Sequence, residues 1–292
     1  MDLSDENCII FPEDVWSVIL SMLAFNVSKK FILVSKLLSK CFYRSVLYID
    51  KTYVKNTKFT NVFTKFINLT KLDLYKNDNI TDDAIFQLIN LTKVNLSNNT
   101  MVTDKSVSKL TKLTYINLSN NKLISDFCVS KLINLTNINL CRNKNITDNC
   151  LRLLTNLEHI DLTVNNQISD YGLKNLTNLK SLVFSGYKIT DNSLTNLINL
   201  NTIRSGGNNI TNDGLKKLST YNNVTSLSTG GTNNITNEGI KCFYSLTRLD
   251  IKTNFNIDDN GIRNLTNLTE LGKNKLISNR CIKNLKLLTI IY

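Results

Sequence analysis

One proline, Pro12, and one histidine, His159, stand in 292 residues. A single histidine excludes a His-pair metal site and the HExxH motif of zinc proteases. Neither GxxxxGK nor GxGxxG occurs, so no phosphate-binding loop of either kind is written into the chain. No apolar run is long enough to span a membrane. The opening residues, Met1 to Cys8, are acidic and lack the basic start and apolar core of a secretion signal. The seven cysteines are odd in number, scattered and without a CxxC pair, which fits a reducing compartment. The expected location is therefore cytoplasmic, with the nucleus also open, or the host cytoplasm if the source is a virus. The many Asn-x-Ser/Thr triplets, such as Asn68-Leu69-Thr70, are then not expected to be glycosylated.

What is present is one stretch written about ten times. Leu72, Val94, Ile116, Ile138, Ile160 and Leu182 follow one another at intervals of 22, and Ile203, Leu227, Leu249 and Leu271 continue at 21, 24, 22 and 22. A fixed period of this length decides the architecture before any local reading does. Two residues after each comes a second apolar position (Leu74, Leu96, Leu118, Leu140, Leu162, Phe184), so both face one side of a short strand. An asparagine often follows: Asn77, Asn99, Asn121, Asn143, Asn165 and Asn254. Its amide can bond backbone groups of its own and adjacent coils. Each unit then gives Ile or Val, Thr or Ser, and usually Asp, and closes on three apolar residues spaced by three, as in Leu151, Leu154 and Leu157. That spacing predicts one helical stripe, capped by Thr-Asp or Ser-Asp. Asp82, Asp104, Asp126, Asp148, Asp170 and Asp191 are accordingly read as caps, not as a calcium array. A further column is always small: Ala84, Ser106, Cys128, Cys150, Gly172, Ser193, Gly214, Gly239, Gly261 and Cys281. It marks close helix packing, with Cys as a small buried residue.

The pattern L-x-L-x-x-N-x-x-I-T-D-x-x-L-x-x-L-x-x-L resembles the leucine-rich repeat. The resemblance implies an α/β solenoid, a horseshoe with parallel strands on the concave face and helices on the convex face, over residues 69–292. The variant Ile168-Ser169-Asp170-Tyr171-Gly172-Leu173 is similar to repeats of F-box/leucine-rich-repeat proteins.

The chain's start adds a second resemblance. Residues 1–8 are polar and read as a disordered tail. Pro12 stands where a helix would begin, Glu13 and Asp14 fall in its first turn, and Val15, Ile19, Met22 and Leu23 share one stripe. A second helical pattern carries Phe31, Val34, Leu38 and Phe42. With Phe11-Pro12-Glu13-Asp14 and Val34-Ser35-Lys36, residues 9–45 resemble an F-box, although Phe11 stands in for the usual leucine and the second helix lacks the family's Trp-bearing end. The resemblance implies a Skp-type adaptor and a cullin complex as partners, held through Phe11, Pro12, Val15, Ile19 and Val34. A plain helical cap on the first coil accounts for the same pattern. Residues 46–68 read as a cap repeat whose aromatics belong to the core.

Residues flanking the strand leucines point out of the concave face, the usual binding surface of the family. Most are small and polar. Tyr75, Tyr115, His159, Arg204 and Arg248 are the expected anchors for an unknown protein target, because aromatic residues and Arg dominate interface energetics. Repeats six to eight depart from the pattern: Tyr187 replaces the turn asparagine, and Ser205 and Thr229 replace strand leucines. Repeat decay that loosens the core is preferred there over a site opened by irregular coils. The apolar end, Leu287 to Tyr292, predicts an exposed edge or a partner.

The net charge is +12. It would suit an anionic partner, but the lysines are spread over most repeats, and heavy Lys, Asn and Ile usage fits A/T-rich coding. Nucleic acid and membrane are not expected as partners. No catalytic residue, cofactor site or metal site is expected. The reading is a non-enzymatic interaction module, monomeric outside its complex, serving as substrate-recognition subunit of a Skp-cullin-F-box ubiquitin ligase; the alternative is a leucine-rich-repeat scaffold with no ubiquitin role.

Overall fold

A computed structural model describes residues 40, 42–44, 46–50, 65–206, 209–221, 223–231 and 234–292. Phe11, Pro12, Val15, Ile19 and Val34, the expected adaptor contacts, lie outside the described residues, as does the tail 1–8.

Each L-x-L segment forms a strand, and the strands stack in chain order into one twelve-stranded sheet. They are β1 (Tyr48–Ile49), β2 (Lys71–Asp73), β3 (Lys93–Asn95), β4 (Tyr115–Asn117), β5 (Asn137–Asn139), β6 (His159–Leu162), β7 (Ser181–Ser185), β8 (Thr202–Gly206), β9 (Ser226–Gly230), β10 (Arg248–Asp250), β11 (Glu270–Gly272) and β12 (Ile290–Ile291). Neighbours are parallel and in register, Leu72 beside Val94 and Val94 beside Ile116. The periodic apolar residues form one continuous core, in which Leu72 through Leu271 are buried at every turn.

The closing trio is not one helix. Most of the helices are a single turn, such as Asp148–Leu151. Leu154 and Leu157 follow as successive three-residue turns, the Leu154 N–H donating to the Leu151 carbonyl and the Leu157 N–H to the Leu154 carbonyl at 3.0 Å each. A spacing of exact threes is the period of i+3 turns, not of 3.6-residue helix. The 24-residue interval before Leu227 is absorbed by a longer helix, Asn212–Ser219.

The aspartates are also not caps of their own helices. The Thr or Ser before them is the cap: Thr147, for example, accepts from the Asn149 N–H. The aspartate instead ties its coil to the next. Asp82 accepts the Thr103 N–H at 2.9 Å and the Thr103 hydroxyl at 2.6 Å, and Asp148 does the same for Ser169 at 2.8 and 2.5 Å. This tie explains the small column. A Cβ on Gly172 would stand 2.4 Å from Asp148 Oδ1, and one on Gly214 would stand 2.1 Å from Asp191 Oδ1. Cys128, Cys150 and Cys281 fill the same column and are buried.

The asparagines form a buried ladder, as their position suggested. Asn143 Nδ2 donates back to the carbonyls of Leu118 (2.9 Å) and Asn121 (3.2 Å), while Oδ1 accepts the N–H groups of Asn145 (3.0 Å) and Ile146 (2.9 Å). Asn274 joins the ladder despite the shortened last repeat, donating to the Ile257 carbonyl at 2.9 Å. Where Tyr187 interrupts it, the strands compensate: β7, β8 and β9 lengthen to five residues, and Ser185 pairs with Gly206 and Gly206 with Gly230. The core is not loosened there. Ser205 and Thr229 are buried, the Ser205 hydroxyl donating to the Ser228 carbonyl and Thr229 accepting from Asn254 Nδ2, both at 3.2 Å.

The Asn-Leu-Thr triplets are a second ladder on the return limb. Asn134 Nδ2 donates to the Thr111 carbonyl at 2.9 Å, Leu135 is buried, and the Thr136 hydroxyl donates to the Thr114 carbonyl at 3.1 Å. Phe66 is core, stacked edge-on with Phe42 (6.1 Å) and Tyr43 (5.0 Å).

Candidate functional site

Strand alternation places one buried residue between two outward ones, as in Lys71-Leu72-Asp73. The outward residues make two columns on the sheet face. The second column is largely committed to the fold. Asp73, Asn95, Asn117, Asn139, Asp161 and Asp250 each accept the N–H two residues on, at 2.9–3.2 Å, and so close the turn that leaves the strand. That leaves the first column and the turn residues as the variable surface.

The five expected anchors do not converge. Tyr115 and His159 share the wall of a hollow of about 170 Å³ with Asn137, Asp161 and Ser181. Tyr75 sits at the strand exit, with the Lys76 ammonium 5.2 Å from its ring centre. Arg204 is exposed on β8. Arg248, on β10, is engaged by Glu270, Nε–Oε2 at 2.7 Å and Nη2–Oε1 at 2.8 Å. This fork raises the Arg248 pKa, first through the Glu270 hydrogen bonds, and lowers that of Glu270 for the same reason. Beside it the C-terminal Tyr292 covers Gly272 and carries the Lys252 ammonium 4.1 Å from its ring centre.

A larger hollow, about 480 Å³, opens at the other end of the same face. Its walls are Tyr48, Lys71, Asp73, Lys93, Asn95 and Tyr115, over Leu72 and Val94. Burial raises the Tyr115 hydroxyl, with Asp73 and Asp161 adding to the effect against a hydrogen bond from Asn117. Burial likewise raises Tyr48, with Asp73 and Asp50 contributing. Tyr48 was read as cap core; it instead forms the outer wall of this hollow. The signal for it was available: Tyr48, Lys71, Lys93 and Tyr115 recur at intervals of 23, 22 and 22 in one column. Among the described residues, no cluster of three or more His, Cys, Asp or Glu side chains could hold a metal ion, and no helix is long and apolar enough to cross a membrane.

No curated protein matches the chain. Solved structures do. An internalin, InlF of Listeria monocytogenes, is 24% identical, covers 91% of this chain and 87% of its own, and superposes with a TM-score of 0.60. The functional domain of InlJ from the same organism, which includes a cysteine ladder, is 26% identical with a TM-score of 0.56; the match takes 78% of this chain and about half, 49%, of that one. A chain of the Rad7 and Elc1 complex of yeast is 15% identical over 95% of this chain and 92% of its own, at a TM-score of 0.53. The family model of the BspA-type leucine-rich repeat region matches in six copies over residues 35–158 and 82–201. The chain belongs to the BspA-type leucine-rich repeat family.

Proposed function

We propose that the chain is a protein-interaction module that recognises its target on the outward face of the parallel sheet. The observation that carries this is the division of labour among columns. Backbone groups, asparagines, threonines and aspartates are spent on joining coil to coil, while the first outward column differs from rung to rung and, the buried Ser226 apart, faces solvent at least in part. Such a surface offers aromatic and cationic anchors of the kind that dominate protein interfaces. The anchors Tyr75, Tyr115, His159, Arg204 and Arg248 belong to this reading, Arg248 through its pair with Glu270. The test is to block the face: Ser181→Arg, which projects a long side chain beside His159, should abolish capture of a protein partner by the full chain without lowering its Tm. Retention of the partner by a folded variant would refute the face as the binding surface.

The finer reading makes the module the substrate-recognition subunit of a Skp-cullin-F-box ubiquitin ligase, with residues 9–45 docking the adaptor. It is supported by the motif around Phe11-Pro12-Glu13-Asp14 and by Val34-Ser35-Lys36 alone. In this reading Phe11, Pro12, Val15, Ile19 and Val34 touch the adaptor. Pull-down of the full chain with a Skp-type adaptor should succeed, and Pro12→Ala with Ile19→Ala should remove it. Failure of the intact chain to bind any such adaptor sinks the ligase reading.

One observation favours the alternative, a scaffold with a helical cap. Phe42 is fully buried and stacks with Phe66 at the head of the solenoid core. The end of the N-terminal segment is thus continuous with the repeats, as a cap would be.

A further inference from the structure

We propose that Tyr48, Lys71, Lys93 and Tyr115 form a clamp for one oxyanion, a carboxylate or phosphoryl group, borne by a protein partner. This rests on the outward sheet face being the binding surface and names the chemistry that one end of it selects.

The four residues occupy consecutive rungs in strict register, Tyr48 beside Lys71, Lys71 beside Lys93 and Lys93 beside Tyr115. Adjacent strands lie about 4.8 Å apart, so the two lysine stems rise side by side, and both ammonium groups can reach one anion between them. Like charges placed directly across a strand pair destabilise the sheet. Asp73 lines the same hollow, but neither the Lys71 nor the Lys93 ammonium makes a hydrogen bond or ion pair among the described residues. Asp73, one column away, has Oδ1 engaged by the Tyr75 N–H at 3.0 Å. Three pairs of opposite charge join neighbouring coils elsewhere. Arg248 meets Glu270, Lys180 meets Glu158 at 2.9 Å and Lys105 meets Asp83 at 3.1 Å. The like-charged rungs at Lys71 and Lys93 therefore stand ready for a charge supplied from outside.

The walls say what bears that charge. Two tyrosine rings close the hollow above and below the lysines, and Leu72 and Val94 lie beneath. Aromatic walls offer apolar contact to the stem of the side chain that bears the anion. The hollow of about 480 Å³ takes a side chain together with its apolar stem. A continuous polyanion fits poorly. Beyond Tyr115 the face offers Asp161, and Asp73 stands beside the lysines, so a second phosphate along a nucleic-acid backbone would meet carboxylates. An isolated Asp, Glu or phosphorylated side chain on a peptide fits better.

The experiment uses the full chain and three fluorescein-labelled peptides with a common aromatic frame. One carries a central pair of Glu residues, one the isosteric Gln pair and one phosphoserine. Fluorescence polarisation should show the Glu or phosphoserine peptide binding at least about tenfold tighter than the Gln peptide, with the gap closing at high salt as screening grows. The arm that binds tighter identifies the source of the oxyanion. The double variant Lys71→Gln plus Lys93→Gln, checked by an unchanged or raised Tm, should erase the preference. Lys109→Gln plus Lys174→Gln, exposed lysines on the helical limb, should leave it. Equal binding of the three peptides, no binding by either anionic peptide, or a preference surviving in the double variant overturns the clamp. If a protein partner is lost with Ser181→Arg but kept by the double variant, the sheet-face reading stands and the clamp alone falls.

Discussion

Replacing Asn143 by Ala tests whether the buried asparagine ladder, rather than leucine packing alone, holds the coils in register. The side chain is 1% exposed and makes four hydrogen bonds, two from its Nδ2 to the preceding coils and two to its Oδ1 from its own coil. Alanine leaves the Asn121 carbonyl and the N–H groups of Asn145 and Ile146 without those partners, while the Leu118 carbonyl keeps the Asn121 N–H at 3.0 Å. An unmet buried backbone group costs roughly 1–3 kcal/mol, and water entering near the partly buried Asn145 N–H relieves some of it, so the expected loss is about 3–6 kcal/mol. That is a large share of the roughly 5–15 kcal/mol that holds an ordinary domain folded. Urea unfolding followed by circular dichroism measures it, with the slope checked because solenoid coils need not unfold together. Asn134→Ala is the matched control, since Asn134 makes one exposed bond of 2.9 Å to the Thr111 carbonyl and should cost no more than about 1 kcal/mol. Asn143→Asp separates the two halves. It keeps the acceptor for Asn145 and Ile146 but aims an oxygen at two carbonyls, and so should be at least as damaging as Ala. A loss for Asn143→Ala no larger than that of the control, or an Asp variant more stable than the Ala variant, would refute the ladder as the register device.

Val164 is β-branched yet sits at φ 54°, in a column where Asn98 and Asn120 take φ 53° and 50°. Val164→Asn should therefore raise stability by about 1 kcal/mol, read as a higher Tm; no rise would mean that the site is unstrained. Cys150 has its pKa pushed up to about 12, first by burial and then by Asp126, and Cys128 is raised further for the same first reason. Iodoacetamide at pH 8 should thus alkylate the half-buried Cys141 in the folded chain well before Cys128 or Cys150, as peptide mapping would show. The raised thiols also make stability fall as pH rises above their unfolded value of about 9, because the unfolded chain then loses protons that the folded one keeps. At the acid end the sign reverses. Asp259 is lowered, first by the Ser278 hydroxyl, so its contribution is complete above its unfolded pKa of about 4 and fades as pH falls through the lower folded value. Ser278→Ala should flatten that acid limb in thermal melts taken from pH 6 to pH 2.

The architecture was legible because a two-residue alternation and a 22-residue interval admit one arrangement, parallel rungs in chain order. The asparagine column was legible for a similar reason: a polar residue recurring between apolar ones needs a backbone partner wherever it is buried. The aspartates were misread because Thr-Asp before a helix is also a capping signal, and only the placement of the next coil shows that the carboxylate reaches Thr103 or Ser169 instead. The three-residue spacing was misread as a helical stripe because periods of 3.0 and 3.6 differ by little over two turns. The irregular repeats defied the pattern for a different reason. Loss of Asn in the sequence reads as lost bonding, whereas lengthening β7, β8 and β9 supplies those bonds from the backbone, which no side chain records.

The same division decides how much a sequence of this kind can say about binding. Residues that join coils are constrained by their neighbours on both sides, so they repeat and can be read from the interval alone. Residues of the first outward column touch only the rungs beside them, so each rung is free to differ and single side chains carry little signal. Ranking those residues by type favoured Arg248, whose guanidinium is already engaged by Glu270. It passed over Lys71 and Lys93, which are individually ordinary and unusual only as neighbours between two tyrosines. If the proposed clamp holds its anion, partner-binding information on this sheet lies in runs along the column, across rungs, at right angles to the direction in which the chain is written.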